Sequence, residues 1–123
     1  MNNLLDIRDR VIVAAGSTSG LGRAIALGLA EHGAIVVPSG QREEELAALC
    51  REIDATGQRT LCRTSDVRNR VSIDGLREAV LEKFGRIDVL VNAAGVTFKQ
   101  PTVSVSEEQW AALMDTDLTG VLR

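Results

Sequence analysis

RVIVAAGSTSGLG, residues 10–22, runs a β-branched apolar segment straight into a loop with glycine at 16, 20 and 22. The first six residues read as a strand, and the residues from 21 onward carry Leu21, Ile25 and Leu29 at helical spacing until Gly33 ends the helix. A strand that turns through glycines into a helix presents free main-chain N–H groups and the positive end of a helix dipole at one point. Gly16 permits the tight turn, Gly20 lets backbone approach an anion without a Cβ between them, and Gly22 permits close helix contact. Ser17, Thr18 and Ser19 can add hydroxyl donors.

Outward from this stretch the same alternation repeats. A strand is expected at 34–38, then a helix over 42–55 with Leu46, Leu49 and Ile53 on one side and Gly57 beyond its end. A third strand is expected at 59–63. Asn69 can cap a helix over 70–84, which aligns Ile73, Leu76, Val80 and Phe84 and stops at Gly85 before a fourth strand at 88–92. Further on, Ser106 and Gln109 form a capping box that opens a last helix through Trp110, Leu113, Met114 and Val121. Strands alternating with helices predict an α/β fold, a Rossmann-type doubly wound parallel sheet in the order 3-2-1-4, within one domain over residues 1–123. The ligand crevice of such a sheet lies where the chain reverses direction, beyond the C-terminal ends of strands one and four.

The 123 residues are 45% apolar and 25% charged, with a net charge of −3. That balance offers no basic field for nucleic acid, and three aromatics, Phe84, Phe98 and Trp110, offer no stacking platform for bases. No apolar run approaches a membrane span, so a cytoplasmic protein is expected, with Cys50 and Cys62 as reduced core cysteines. The chain is short for a protein that binds both a dinucleotide and a substrate. It stops at Arg123 without a C-cap glycine, which reads as a sheet truncated after the start of the helix that follows strand four.

Four motifs in order, AGSTSGLG at 15–22, SDV at 65–67, NAAG at 92–95 and DLTG at 117–120, resemble the motif series of the short-chain dehydrogenase/reductase family, over its N-terminal half. The resemblance implies an NAD(P)-dependent oxidoreductase that moves hydride between the nicotinamide and a carbonyl or secondary alcohol. It implies that Gly16, Gly20, Leu21 and Gly22 form the diphosphate loop, that Asp66 holds the adenine amino group beside Val67, and that Asn92, Ala93, Ala94 and Gly95 line the nicotinamide-side ribose. The alternative for Asp66 is a turn or cap residue, and Asn92 can equally satisfy nearby backbone. At the end of strand two, Gly40 stands where an acidic residue would bind a free 2′-OH, while Ser39 and Arg42 suit a 2′-phosphate. NADP(H) is therefore expected, with NAD(H) as the alternative. The opening LLDIRDRVIV and the stretch TSGLGRAIALGLAEHGA add a faint resemblance to gluconate dehydrogenases, hence to sugar acids.

The family's chemistry needs a tyrosine, a lysine four residues later and a serine. This chain has no tyrosine, and its lysines, Lys83 and Lys99, fit no such pattern. These catalytic groups are expected beyond Arg123, and the 123 residues alone are expected to be inactive. The family's fourth catalytic position is an asparagine, and here it is Asp117. A carboxylate only accepts hydrogen bonds, so a water relay through it would be altered. Spacing turns Asp117 inward with Trp110 and Leu113, where burial would raise its pKa, or it caps a local turn before Gly120. Asp9 and Ala15 replace the glycine and threonine common in the family. His32, the one histidine, suits a helix C-terminus, and no metal site is expected. Trp110 reads as core or as a contact in the family's usual homo-oligomer. The alternative function is a non-catalytic nucleotide- or partner-binding fragment from a truncated gene, and a receiver-type domain ranks last because strand one ends without an acidic cluster.

Overall fold

The structure is a computed structural model and describes residues 4–123. Strand β1 (Val11–Ala15) lies at the centre of a parallel sheet, between β2 (Ile35–Ser39) and β3 (Val89–Asn92). Val11 to Ala15 pair with Ile35 to Ser39 on one side, and Ile12 to Ala15 with Val89 to Asn92 on the other. The chain thus leaves β1 in one direction and later crosses to its opposite edge, which opens the expected crevice at the strand ends.

Strand alternation divides the apolar residues between two faces. Ile12, Ala14 and Val36 pack with Ala26 of helix α1 (Gly20–Glu31) and Leu49 of α2 (Glu43–Ile53). Val11, Val13 and Val37 pack with Leu76 and Val80 of α3 (Arg70–Phe84). Helices therefore cover both faces of β1 and β2, as near-continuous apolar parallel strands require. The caps form as the sequence predicts. Asn69 accepts from the N–H groups of Val71 and Ser72, Gly85 ends α3 at φ 79°, and Ser106 and Gln109 complete the capping box of α4 (Glu107–Met114). Nδ1 of His32 donates to the Gly28 carbonyl at 2.8 Å at the end of α1. Among the described residues no helix is long and apolar enough to cross a membrane.

Residues 59–63 depart from expectation, because they join no ladder and among the described residues the sheet has three strands rather than four. Side chains take the hydrogen bonds that a ladder would use. The Thr60 hydroxyl donates to the Val36 carbonyl at 2.7 Å, and the Lys83 ammonium takes the carbonyls of Gly57 and Thr60 at 2.5 and 2.6 Å. The segment still runs beside β2, since the Ser65 N–H reaches the Gly40 carbonyl at 2.9 Å. The order 3-2-1-4 thus reduces to its last three members.

Helix α1 faces the core through Gly22 and Ala26, and of the predicted stripe only Leu29 packs against it, while Leu21 and Ile25 are exposed. The close approach of α1 to the loop explains this. A Cβ on Gly22 would meet the Gly16 carbonyl oxygen at 2.2 Å, so the helix seats on its smallest residues. The last helix also differs. A π-helical turn (Asp115–Thr119) separates α4 from α5 (Gly120–Leu122), and its wider repeat breaks the 3.6-residue phase. Thr116 and Gly120 are buried, whereas Asp117, Val121 and Trp110 are exposed. Trp110 is therefore not a core residue. Cys50 is buried as expected, and Cys62 is exposed, against expectation.

Candidate functional site

A crevice of about 520 Å³ lies beyond the C-terminal ends of β1 and β3. Two main-chain loops form its floor, and one glycine lets them meet. Gly16 has φ 76°, and a Cβ there would lie 2.3 Å from the Ala94 backbone nitrogen. The N–H groups of Gly16 and Ser17 both donate to the Ser39 carbonyl at 3.0 Å, which ties the loop to the end of β2. The Ala93 N–H donates to the Ala15 carbonyl at 2.9 Å, which ties the second loop to the end of β1.

Of the predicted residues, Gly16, Thr18, Ser19, Leu21 and Gly22 line the crevice from the first loop, and Ala93, Ala94 and Gly95 from the second. Ser39, Arg42 and Val67 form the far wall. The exposure of Leu21 follows from this position. Gly20, the first residue of α1, has φ 59° and open space where a Cβ would stand, so the helix N-terminus is approachable by a ligand.

Four predicted residues are placed otherwise. Ser17 is fully buried, its hydroxyl donating to the Ala14 carbonyl at 2.8 Å and accepting the Ser39 N–H at 3.1 Å, so it pins the turn and offers no donor to a ligand. Asp66 sits outside this crevice and accepts the Arg68 N–H at 2.8 Å, a turn geometry. Asn92 borders a separate apolar hollow beside Leu76 and Leu90. Asp117 is exposed rather than buried, and accepts the Val96 N–H at 2.8 Å, so it holds the loop that carries Gly95.

Gly40, Gln41, Ser65, Val96 and Thr116 also line the crevice. Gly40 was visible in sequence only as the lack of a carboxylate; the structure adds that a Cβ there would meet the Thr18 methyl at 2.6 Å. No periodicity argument finds Thr116, because the π-turn that buries it breaks the period. Ser65 stands beside the SDV motif's aspartate and lines the wall in its place.

Arg42 is the one charged side chain among the described lining residues. Its guanidinium reaches the Ser19 hydroxyl at 3.4 Å and Glu45 at 3.1 Å. Beneath the far wall Arg123 donates to the Val67 carbonyl at 3.1 Å and to Asp115 at 2.5 Å, and Arg68 pairs with the same carboxylate. The Arg123 hydrogen bond, with help from Arg68, holds the Asp115 carboxyl below the usual range. An open helix N-terminus, small side chains on two converging loops and a lone cation suit an elongated anionic ligand, so the residues present fit a dinucleotide.

The sequence pattern of the family described as short chain dehydrogenase matches residues 10–123. A (2S)-[(R)-hydroxy(phenyl)methyl]succinyl-CoA dehydrogenase subunit from Thauera aromatica is 36% identical over 94% of this chain and 47% of its own length. A 3beta-hydroxysteroid dehydrogenase from Mediterraneibacter gnavus is 33% identical over 89% of this chain and 40% of its own. The crystal structure of a short chain dehydrogenase from Bacillus anthracis superposes with a TM-score of 0.87 at 34% identity, over 92% of this chain and 47% of that one. The chain spans about half the length of the curated relatives it matches. With this match over residues 10–123 and this superposition, the chain belongs to the short-chain dehydrogenase family of oxidoreductases.

Proposed function

We propose that these residues are the cofactor-binding half of a cytoplasmic, NADP(H)-preferring dehydrogenase acting between a carbonyl and a secondary alcohol. The observation that carries the cofactor preference is the pairing of Arg42 with Gly40 at the end of β2. Arg42, paired with Glu45 at 3.1 Å, supplies a positive charge at the crevice wall, and Gly40, closed over by Thr18, puts no carboxylate at its own position, where one would repel a 2′-phosphate. Ser19 reaches Arg42 and adds a hydroxyl on the same side.

The N–H groups at the start of α1, reached past Gly20, take the diphosphate, and Thr18 and Ser19 offer hydroxyls beside it. Ala93, Ala94 and Gly95 leave room for the nicotinamide-side ribose, and Asp117 steadies that loop through Val96. When bound, the cofactor supplies or accepts the hydride. The tyrosine that serves as proton donor in the family is not among these residues, so the role assigned to them is to bind and orient. The similar proteins, by their names, act on a hydroxylated succinyl-CoA and on a steroid alcohol. A secondary alcohol is common to both names, and it is the substrate class proposed here, sugar acids included.

Titration with NADPH and with NADH, followed by nicotinamide fluorescence and by melting temperature, tests the reading. Saturable binding of NADPH at least about tenfold tighter than NADH is expected, with the difference largely removed in Arg42→Ala. Equal affinities, or a preference that survives Arg42→Ala, would overturn the NADP(H) assignment. Absence of any binding by a chain that melts cooperatively would favour the non-catalytic reading.

A further inference from the structure

Away from the crevice, two cysteines from different parts of the chain border one hollow. Cys50 lies in α2 and is buried, while Cys62 is exposed on the segment that runs beside β2. Both line one surface hollow of about 350 Å³, together with Arg51, Thr60 and Lys83. The Cys50 thiol donates to the Leu61 carbonyl at 3.7 Å. That carbonyl belongs to the peptide that leads into Cys62, so the Cys50 sulfur already rests against the Cys62 backbone. Burial chiefly, with Cys62 beside it, pushes the Cys50 thiol up to about 12.

We propose that Cys50 and Cys62 form a reversible intramolecular disulfide that clasps the unladdered segment to α2, made by exchange with a low-molecular-weight disulfide such as glutathione disulfide. Cys62, being exposed, reacts first. Its thiolate attacks one sulfur of glutathione disulfide, a mixed disulfide forms, and one glutathione thiolate leaves. Cys50 then loses its proton to solvent and attacks the Cys62 sulfur, which expels the second glutathione as thiolate. Two protein thiols are oxidised and one glutathione disulfide is reduced to two glutathiones. The raised Cys50 thiol makes this second step the slower of the two.

The position gives the clasp a consequence. Residues 59–63 lack ladder bonds, and the segment holds to β2 through the Thr60 hydroxyl and the Ser65 N–H. Ser65, at its far end, lines the dinucleotide crevice. A covalent tie at residue 62 restricts the segment in the unfolded chain and fixes it in the folded one.

The purified protein is equilibrated in glutathione buffers of graded potential, acid-quenched, alkylated and weighed intact, with and without denaturing urea. Native protein should lose the mass of two hydrogens, and the equilibrium for the bond should favour the native state on the order of tenfold over urea, since folding holds the thiols together. The oxidised form should melt higher. Cys50→Ser should instead accumulate one glutathione adduct, and Cys62→Ser should stay unmodified. A native protein that carries a stable glutathione adduct at Cys62 without closing the bond, or that closes it no better than in urea, would overturn the proposal.

Discussion

β1 and β3 are neighbours in one sheet and have similar sequences, VIVAA and VLVN, yet they live in different surroundings. All five residues of β1 are buried, whereas Val89, Leu90 and Asn92 of β3 are exposed and Val91 is half-buried. The register between them is regular, so strand formation and pairing do not differ. What differs is cover, because β1 has a strand on each side and helices on both faces, while β3 is an edge. An apolar run thus states that a strand is suited to burial, and only its neighbours decide whether it is buried.

The sharpest way to break this comparison is a pair of truncations. Leu49→Ala, under the covered half of the sheet and 1% exposed, is expected to cost about 2 to 5 kcal/mol in denaturant unfolding. Leu90→Ala, 56% exposed on β3, is expected to stay within about 0.5 kcal/mol. Similar losses at the two sites would show that β3 is covered in solution.

Gly16→Ala tests the junction between the two loops. Its positive φ and the Ala94 backbone both oppose a Cβ, so a loss of at least about 2 kcal/mol is expected, together with loss of dinucleotide binding. Retained binding with full stability would mean that the loops do not meet as described. Ser17→Ala is expected to cost about 1 to 3 kcal/mol, because it leaves the buried Ser39 N–H without its acceptor. An unchanged melting temperature with weaker NADPH binding would instead restore Ser17 to the ligand.

Asp9, the residue where the family often has glycine, sits at φ 62° and pairs with Arg59 at 2.9 Å. Because that pair is exposed, relief of the backbone should win, and Asp9→Gly is expected to gain about 0.5 to 1 kcal/mol. A loss on this substitution would put the ion pair ahead of the strain.

The smallest effects are those of acid on the surface carboxylates. The Val11 N–H chiefly, with Arg86, lowers the Asp88 carboxyl below its ordinary 3.8, and hydrogen bonds from Arg8 bring Asp6 to about 2. A carboxyl whose folded pKa is depressed supports the fold above its unfolded value and loses that support as pH falls through the folded one. Melting temperature should therefore decline as pH drops from about 4 towards 2, and less steeply in Asp88→Asn, which removes the titrating group at the base of β1. A melting temperature that rises over this interval would contradict the assignment.

Much of the fold is legible in the amino-acid sequence because its signals are local. The caps at Asn69, Gly85 and Ser106 are made within one turn of chain, and the helix over 70–84 forms with the bounds its apolar spacing predicts. The crevice lining is legible where it rests on glycine and main chain, at Gly16, Gly22, Ala93 and Gly95, since small residues at strand ends leave few other uses. It fails where a polar side chain has a choice of partners. Ser17, Asp66 and Asn92 each sit in a motif, and a hydrogen bond or a position that spacing does not reveal places each of them outside the lining of the crevice.

The sequence by itself determined the alternation of strands and helices, the parallel pairing of β1 with its neighbours and the place of the crevice, because period and turn chemistry are properties of adjacent residues. Tertiary structure alone decided that residues 59–63 stay out of the sheet, where the Thr60 hydroxyl takes the Val36 carbonyl of β2 and Lys83, from α3, takes the Thr60 carbonyl. It alone decided that the π-turn buries Thr116 and exposes Asp117, and that Leu21 faces the crevice instead of the core. Hydrogen bonds and contacts between distant segments are settled by which partner is nearest after folding, and spacing along the chain does not contain that distance.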